Sequence, residues 1–467
     1  MIGSRPVKRA VLRALNAWDT RHGALAPQSP APWGLETDGS GRLAWDGCPL
    51  EDLARRFGTP RHVVSRGRLE GNYRGFRDAF AARYPRVEIA YSYKTNPLPG
   101  VIRALHECGA AAEVISHFEL WLALALGVEP ERIIFNGPAK TPAAIDLAVR
   151  RGIKLINIDG AAEIGQIDER AAHYGRRQRV GVRIVTSVGW SSQFGFSIAD
   201  GAAMEAFRQI RACRHLEPCA LHLHLGSGLH DAGLYFQASR EAVGFALRLR
   251  AELGVAIEHL DLGGGFNVPT VRQLSGLDQK FLDHGFPIRP PRAGETPGPA
   301  EFAAGIVSLL EELLPRGDGR LPELILEPGR AITSGAQCLL LSVLALKPGD
   351  RRERYAIVDG GKNLTVPLGY EYHELFAAGR MNGTPPGRYT VFGPLCHPHD
   401  IVARHRDLPG LKVGDVLAVM DAGAYFIPNQ MNFSNPRAAA VMITGGVPQV
   451  IRGQETFEDV VRLDGVG

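Results

Sequence analysis

The chain has 467 residues, of which 45% are hydrophobic and 22% are charged, as expected for a globular protein with a sizeable core. Because one domain typically takes ~100–200 residues, this length predicts two domains. A formal net charge of +4 is too small over this length to indicate nucleic-acid binding, and no segment reaches the ~18 apolar residues that cross a bilayer. We therefore expect a cytoplasmic protein with neither nucleic acid nor membrane as a partner.

The six cysteines form no C-x-x-C pair, and no histidine cluster has the spacing of zinc ligands. We therefore expect reduced thiols and no bound metal. Residues 1–32 are a basic N-terminal extension that lacks the continuous apolar core of a signal peptide, and no function is assigned to them. Residues 33–60 include a short predicted strand at Gly41–Trp45, and we expect this segment to contribute to a β domain.

Between residues 61 and 345, short β-rich runs alternate with segments of helical periodicity. The eight predicted strands are Val87–Tyr93, Ala112–Ile115, Arg132–Phe135, Lys154–Ile158, Val180–Val185, Ala220–Leu225, Ile257–Leu262 and Leu324–Leu326. A strand–helix pair repeated eight times predicts a (β/α)8 TIM-like barrel, with a parallel sheet inside and helices outside.

Two helix starts in this region are well marked. Thr141 followed by Pro142 has the pattern of an N-cap and a first-turn proline, and opens a predicted helix at Ala143–Arg151. Pro299 likewise stands at the start of a predicted helix that includes Phe302–Leu314, where leucine and isoleucine recur at helical spacing.

After residue 345 the pattern changes. Tyr355–Asp359, Arg388–Phe392, Val416–Asp421 and Ala438–Thr444 are predicted strands without long helices between them. Residues 346–467 are therefore predicted to form a second, mostly antiparallel β domain. The preceding segment 267–298 is rich in proline and glycine and poorly periodic. We interpret it as an insertion after the seventh strand that covers the barrel mouth.

Polar residues follow several barrel strands, at the end where the active sites of such barrels lie. Lys94 ends the first strand, His224 and Ser227 follow the sixth, Gly263–Gly265 follow the seventh, and Glu327 and Arg330 follow the eighth. Each has an ordinary structural explanation: a solvated lysine, a core histidine, a glycine turn and an internal ion pair. Their coincidence at one end of one barrel indicates a site in which backbone N–H groups bind a phosphate and a lysine amine acts as nucleophile.

Six short motifs in a fixed order carry a resemblance to a known family. They are Tyr93–Asn96, His224–Ser227, Gly263–Phe266, Glu327–Arg330, Gly393–Cys396 and Gly423–Tyr425. Together they resemble the motifs of the diaminopimelate/ornithine decarboxylase family, which has the alanine-racemase-like fold type III and depends on pyridoxal phosphate. The resemblance spans roughly residues 41–445, nearly the whole chain.

The resemblance implies a role for each matching residue. Lys94 would carry pyridoxal 5'-phosphate, His224 would stack on its ring, and Glu327 would face its pyridine nitrogen. The residues expected around the phosphate are Ser227, Gly263, Gly264, Gly265, Arg330 and Tyr425. Cys396 would enter the active site from the neighbouring subunit of a homodimer with shared active sites.

The implied chemistry suits these side chains. Pyridoxal phosphate stabilises the carbanion left by CO2 loss, most strongly when its ring nitrogen is protonated. A carboxylate at Glu327 favours that protonated form, whereas in alanine racemases the family pattern has an arginine there. Glu327 therefore favours decarboxylation over racemisation, with Cys396 as the general acid that returns a proton.

Two departures from the family pattern bear on the substrate. First, His397 stands after the cysteine where the family has an acidic residue, and the next acidic residue along the chain is Asp400. Second, the segment Val358–Pro367 lacks the arginine that in the family binds the distal carboxylate of diaminopimelate. Unpaired distal groups would cost ~1–3 kcal/mol per buried group, so we expect a different amino acid or an amino-acid conjugate as substrate. His397, Asp400, Tyr370 and Lys362 are the candidate substrate-binding residues, with surface or dimer contacts as the other explanation.

Three alternatives stay open at this point. They are diaminopimelate decarboxylase proper, an amino-acid racemase or epimerase on the same fold, and a catalytically inactive regulatory homologue. Release of CO2 separates a decarboxylase from a racemase. The joint presence of Lys94, Glu327 and Cys396 argues against the regulatory homologue.

Overall fold

The computed structural model describes residues 5–21, 29–292, 294–314, 321–349, 353–381 and 387–465. The chain forms two compact units whose segments alternate along the sequence. The first unit consists of Met1–Leu69, Val268–Glu295 and Thr333–Gly467, and the second of Glu70–Asn267 and Thr296–Ile332. The predicted barrel region 61–345 therefore extends beyond the second unit at both ends and contains a segment of the first.

The second unit contains a closed parallel barrel. Its eight strands are Val87–Ser92, Ala111–Val114, Ile133–Phe135, Leu155–Ile158, Gln178–Val185, Leu216–His222, His259–Asp261 and Glu323–Leu326. Each strand pairs in parallel with the next, and the eighth pairs with the first, so the sheet closes. A short strand, Phe196–Ser197, adds to the fifth. All eight predicted strands are confirmed, with their ends shifted by at most four residues.

Small and branched side chains fill a buried layer of the barrel. Six of the eight strands contribute to this cluster, which consists of Ala90, Ala111, Ile134, Leu155, Cys219, Ala220 and Ile325. Burial of such apolar surface stabilises the fold by about 25 cal/mol per Å². Because this layer is packed and apolar, chemistry is confined to the polar ends of the strands.

The helices of this unit follow the strands. They are Pro99–Glu107, His117–Ala125, Pro142–Arg151, Ala161–His173, Ala202–Ala212, Ala232–Leu253 and Pro299–Leu313, and helix Arg66–Ala81 precedes the first strand. The Thr141 hydroxyl accepts a hydrogen bond from the Ala144 amide at 3.2 Å. The predicted N-cap is therefore confirmed, as is the predicted helix start at Pro299.

In the described residues, the first unit contains a nine-stranded, mostly antiparallel sheet. Its strands are Arg61–Ser65, Gln337–Pro348, Glu353–Val358, Leu375–Ala377, Gly387–Phe392, Ile401–Leu408, Val416–Val419, Ala439–Thr444 and Val447–Arg452. Six pairings are antiparallel and two are parallel. The four strands predicted after residue 345 are confirmed, and the fold is the predicted barrel with a largely antiparallel β domain.

The strand Arg61–Ser65 explains why the observed unit boundary differs from the predicted one. It lies between Gln337–Pro348 and Ala439–Thr444 in the sheet of the first unit, and all five of its residues are buried. A short apolar run followed by a helix has the local pattern of a barrel unit. Its true partners are more than 270 residues away along the chain, so local periodicity does not identify them.

The remaining elements of the first unit are short. Strands Leu35–Thr37, Leu43–Trp45 and Cys48–Pro49 form a separate antiparallel sheet, and Arg272–Gln273 pairs with Glu371–Tyr372. The helices are Arg5–Arg21, Leu50–Phe57, Gly276–Asp283 and Phe457–Val461. Of the helices in the described part of the chain, none combines the length and apolar character needed to cross a membrane.

Candidate active site

A buried carboxylate holds the lysine amine that follows the first barrel strand. Lys94 lies in a short 3-10 helix, Tyr93–Thr95, directly after that strand. Its Nζ donates a hydrogen bond to Glu113 Oε2 at 2.8 Å, and the hydroxyl of Ser92 donates to the same oxygen at 2.5 Å. The Glu113 side chain is fully buried, whereas 27% of the Lys94 side chain is exposed. The amine is therefore oriented yet accessible, as a group that binds a cofactor must be.

Asparagine side chains extend this network across the barrel end. Asn136 Nδ2 donates to Glu113 Oε1 at 3.1 Å and to Glu327 Oε1 at 2.6 Å. Asn157 Nδ2 in turn donates to Asn136 Oδ1 at 2.8 Å. The residues come from, or directly follow, the second, third, fourth and eighth strands. Lys94 and Glu327 are thus connected through two bridging side chains in a single buried network.

Glu327 is a buried carboxylate that is held in its ionised form. Its Oε2 lies 3.7 Å from His222 Nε2 at the end of the sixth strand. Burial pushes the pKa of Glu327 upward, but the neighbouring His222 and Lys94 outweigh it, so the pKa lies below its ordinary value. Burial and the charge of Glu327 raise the pKa of Asp261, at the end of the seventh strand, well above its ordinary value. Asp261 is therefore the more readily protonated of the two carboxyl groups.

The imidazole of His224 is neutral and fixed in orientation. Burial, reinforced by the Lys94 ammonium, lowers the pKa of His224 to about 3. Its Nδ1 accepts a hydrogen bond from the Gly264 amide at 3.3 Å, which leaves the ring proton on Nε2. The ring of Trp190 lies beside it, with ring centroids 5.6 Å apart. A neutral aromatic ring held from two directions suits the stacking role predicted for His224.

Glycine permits the turns after the sixth, seventh and eighth strands to pack backbone against backbone. Gly263 and Gly265 have φ angles of 66° and 95°, in the left-handed region. A Cβ on Gly264 would lie 2.2 Å from the carbonyl oxygen of Glu327, and one on Gly265 would lie 2.3 Å from that of Gly226. Residues with side chains cannot occupy these positions without moving the adjacent turns.

The phosphate-binding role predicted for these turns stays a prediction. The amides of Gly263 and Gly264 donate to Asp261 Oδ1 and to His224 Nδ1. Ser227 is half-buried in the turn after the sixth strand, and Arg330 is buried at the start of the short helix Arg330–Thr333. The structure brings the site residues predicted on the barrel to one end of it, because all of them follow barrel strands; they are Lys94, His224, Ser227, Gly263–Gly265, Glu327 and Arg330.

The other predicted site residues belong to the first unit. They are Cys396, His397, Asp400, Lys362, Tyr370 and Tyr425. Cys396 and His397 are exposed in the turn after Gly387–Phe392, and Lys362 and Tyr370 are also exposed. Tyr425 is half-buried, with a φ of 67°.

Asp400 differs from its neighbours in the first unit because it is buried. Its carboxylate accepts hydrogen bonds from the backbone amides of Leu395 and Lys362 at 2.7 and 2.6 Å. The side chain thus stabilises the conformation of the turn that presents Cys396 and His397.

Five residues that take part in the site were not selected from the sequence. They lie inside apolar strands or directly after them, and they are Glu113, Asn136, Asn157, His222 and Asp261. A polar residue within a buried strand is the signal that could have found them, because buried polar groups need partners. Glu113 is flanked by Ala112 and Val114, a pattern that predicts only a strand.

An accessible amine, a neutral imidazole and an anionic carboxylate fit the reactive groups of pyridoxal phosphate. The barrel and this donor set define an enzyme of the pyridoxal-phosphate-dependent class. Comparison with known proteins agrees. Residues 67–334 match the family model of pyridoxal-dependent decarboxylases, pyridoxal binding domain.

Full-length relatives make the assignment more specific. The diaminopimelate decarboxylase of Methanothermobacter thermautotrophicus is 32% identical over 441 residues, covering 92% of this chain and 96% of the relative. That of Actinosynnema pretiosum is 33% identical over 444 residues, covering 91% and 93%. The crystal structure of the Methanocaldococcus jannaschii diaminopimelate decarboxylase aligns with a TM-score of 0.83 at 28% identity, covering 93% of this chain and 98% of that one. The chain therefore belongs to the fold type III pyridoxal-dependent decarboxylase family, and it is a pyridoxal-phosphate-dependent amino-acid decarboxylase.

Proposed function

We propose that this enzyme removes the α-carboxylate of an amino acid or an amino-acid conjugate other than ordinary meso-diaminopimelate. The observation that carries the chemistry is the hydrogen-bonded path from Lys94 through Glu113 and Asn136 to Glu327. It fixes an amine and an ionised carboxylate in one buried network. These are the two groups that must hold opposite ends of the cofactor ring.

The bound cofactor supplies the electron sink for the carbanion that forms when CO2 leaves. In the proposal, Lys94 holds the cofactor and His224 supports its ring. Glu327, kept anionic, retains a proton on the ring nitrogen. The proposed phosphate-binding residues are Ser227, Gly263, Gly264, Gly265, Arg330 and Tyr425. Cys396 donates the proton that replaces the lost carboxylate, from the partner subunit of a homodimer.

The surroundings of Cys396 support a substrate other than diaminopimelate. His397 follows the cysteine where the family has an acidic residue. Asp400 could supply that charge, but its carboxylate already accepts two backbone amides. A distal ammonium would then lack a dedicated anionic partner in this turn. The exposed Lys362 adds a positive charge to the same part of the unit, which favours a substrate that carries an additional carboxylate.

A substrate panel tests this proposal. We expect CO2 release from N-acylated or carboxylate-bearing diamino acids with a kcat/KM at least about tenfold above that for meso-diaminopimelate, equivalent to ~1.4 kcal/mol of transition-state binding. Lys362→Met should reduce this preference, and Lys347→Met, a change at another exposed lysine of the same unit, should leave it unchanged. A highest kcat/KM for meso-diaminopimelate would contradict the proposal.

Diaminopimelate decarboxylase proper is the second candidate. It is favoured by the identity of 32% over 92% of this chain to a relative of that name. A Methanocaldococcus jannaschii relative was crystallised in complex with L-lysine. Conversion of meso-diaminopimelate to lysine as the preferred reaction would establish this candidate.

The role of Lys94 has a separate test. Lys94→Ala should abolish the visible absorbance of the purified holoenzyme, because the amine that bears the cofactor is lost. Lys347→Ala, at an exposed position, should retain it. An unchanged spectrum in Lys94→Ala would show that another residue bears the cofactor.

A further inference from the structure

Two buried polar side chains beside Glu327 have no role in the proposed function. His222 and Asp261 end the sixth and seventh barrel strands. One oxygen or nitrogen atom from each of His222, Asp261 and Glu327 lies within 4.8 Å of the other two. The exposed fractions of these residues are only 2%, 0% and 2%. The three groups therefore interact strongly, because water is excluded from the space between them.

Charge repulsion fixes how many protons this cluster holds. Two ionised carboxylates so close together in a dry site repel each other, so one of them must be protonated at neutral pH. When a pair of buried carboxyl groups has few cationic partners, one negative charge on the pair costs less free energy than two.

The hydrogen-bond partners of the two carboxyl groups differ. Glu327 Oε1 accepts from Asn136 at 2.6 Å, and its Oε2 lies 3.7 Å from His222 Nε2. Asp261 Oδ1 accepts only the Gly263 amide, at 2.9 Å. Asp261 Oδ2 has no hydrogen-bond donor within reach among the described residues. An oxygen without a donor is a costly place for negative charge and a good place for a proton.

The charges on the surrounding strands act in the same direction. Glu113 on the second strand joins Glu327 in raising the pKa of Asp261. Lys94 after the first strand and His222 on the sixth favour the ionised form of Glu327. Arg183 on the fifth strand lies close enough to interact electrostatically with Glu327 and Glu113. The protonated Asp261 can then donate to Glu327, which further lowers the pKa of Glu327.

We propose that Asp261 is a positioning residue that remains a neutral carboxylic acid and, together with His222, keeps Glu327 ionised and aimed for the cofactor. This inference rests on the proposed function, in which Glu327 faces the ring nitrogen. Asp261 holds the proton that would otherwise neutralise Glu327. Glu327 therefore presents a full negative charge, with its second oxygen fixed by Asn136.

Infrared difference spectroscopy tests the protonation state directly. The holoenzyme is labelled with ¹³C at aspartate carboxyl groups, and the spectrum of Asp261→Asn is subtracted from that of the wild type near neutral pH. We expect a carbonyl band of a protonated acid that shifts with ¹³C and with D2O. The matched control is Asp38→Asn, which removes an exposed, ion-paired carboxylate and should give only carboxylate bands.

A carboxylate band from Asp261 would overturn the inference. Because the infrared band comes from the Asp261 carboxyl group itself, the measurement does not require the enzyme to turn over a substrate. A wild-type enzyme with no cofactor absorbance would contradict the proposed function, while the infrared band would still report on Asp261. If Asp261→Asn fails to fold, Glu327→Gln replaces it: the Asp261 band should then titrate at lower pH than in wild type, because the repelling charge is gone. An unmoved midpoint would also overturn the inference.

Cofactor affinity tests the positioning role. Asp261→Asn keeps a neutral group that can donate to Glu327, so its Kd for pyridoxal phosphate should stay within about threefold of the wild type. Asp261→Ala removes the donor and should weaken binding about tenfold, as expected for one lost hydrogen bond to a charged group. Equal losses in the two variants would show that the negative charge of Asp261 is required, which contradicts a neutral acid.

Discussion

At the scale of single residues, Glu113 joins more of the candidate site than any residue found from the sequence. It accepts hydrogen bonds from Ser92, Lys94 and Asn136 and is fully buried. These bonds fix the amine of Lys94 relative to the network that reaches Glu327. Glu113 is thus expected to matter for stability as well as for cofactor binding.

We predict that Glu113→Ala lowers the free energy of unfolding by about 2–6 kcal/mol, because the buried donors Ser92 and Asn136 lose this acceptor at ~1–3 kcal/mol each. Urea denaturation of the wild type and the variant measures this loss. Glu113→Gln is the control, since its amide oxygen can still accept one of the bonds, and it should lose less. Equal stability of Glu113→Ala and wild type would contradict the central position of this carboxylate.

The sequence predicted the residues that stand in glycine-rich or proline-containing turns better than those inside strands. Lys94, His224 and Glu327 follow strands in recognisable motifs, so their shared location at one barrel end was predictable. Asn136 and Asp261 were not predictable as site residues, because their importance depends on partners from other strands. Local sequence carries no information about which strand ends face each other at a few ångströms.

At the scale of elements, the glycine turn after the seventh strand has no space for side chains. Gly264→Ala would place a Cβ 2.2 Å from the carbonyl oxygen of Glu327. We therefore predict that this variant loses cofactor affinity and melts at a lower temperature than the wild type, since the Glu327 turn must move. Thermal melting and cofactor titration measure the two effects.

The matched control for that variant is Gly244→Ala. Gly244 lies in helix Ala232–Leu253, and its added Cβ would have no atom within 4 Å. Because alanine is favoured over glycine in a helix by about 1 kcal/mol, this variant should be as stable as the wild type or more stable. Similar losses in both variants would mean that the tight turn is not the cause.

The elements themselves were largely predictable, and their assignment to units was less so. All eight barrel strands and the helix starts at Thr141 and Pro299 followed from periodicity and capping residues. Arg61–Ser65 and Gln337–Pro348 pair across more than 270 residues, and the predicted barrel region 61–345 included the first strand and most of the second. Pairing over such distances is decided by the packing of whole sheets, which a window of ten residues does not contain.

At the scale of the whole molecule, a charged cluster at the start of the barrel strands sets part of the acid stability. Lys154 bonds to Glu88 and Glu323, and Glu323 also accepts from His259 at 2.8 Å. Burial raises the pKa of Glu323, but the hydrogen bonds of His259 and Lys154 outweigh it and lower the pKa to about 2. A carboxyl group whose pKa is lowered by folding stabilises the fold at pH values above 4.5, which is its pKa in the unfolded chain.

We therefore predict that this contribution is lost as the pH falls from about 4.5 towards about 2. Glu323→Gln should melt at a lower temperature than the wild type near neutral pH, and the difference should shrink as the solution is acidified. Melting curves at constant ionic strength measure this convergence. Parallel curves across the whole range would exclude Glu323 as a source of the pH dependence.

The proposed shared active site predicts complementation between two inactive subunits. Lys94→Ala and Cys396→Ala should each lose most turnover, with the cysteine variant retaining cofactor absorbance. A random mixture of the two variants should regain up to about a quarter of the wild-type activity. Half of its dimers are heterodimers, and one of the two sites in each heterodimer has both residues. Activity of refolded mixtures measures this. No recovery in verified heterodimers would place Cys396 and Lys94 in the same subunit's site or remove Cys396 from catalysis.

The alternation of segments along the chain constrains how the protein is synthesised. The barrel cannot close until its eighth strand, Glu323–Leu326, has left the ribosome, so a nascent chain ending at residue 267 carries two unpaired strand edges. The intervening strand Arg272–Gln273 stays unpaired until its partner strand, Glu371–Tyr372, is translated about a hundred residues later. Premature termination anywhere before residue 326 should consequently yield aggregation-prone fragments rather than a smaller working enzyme.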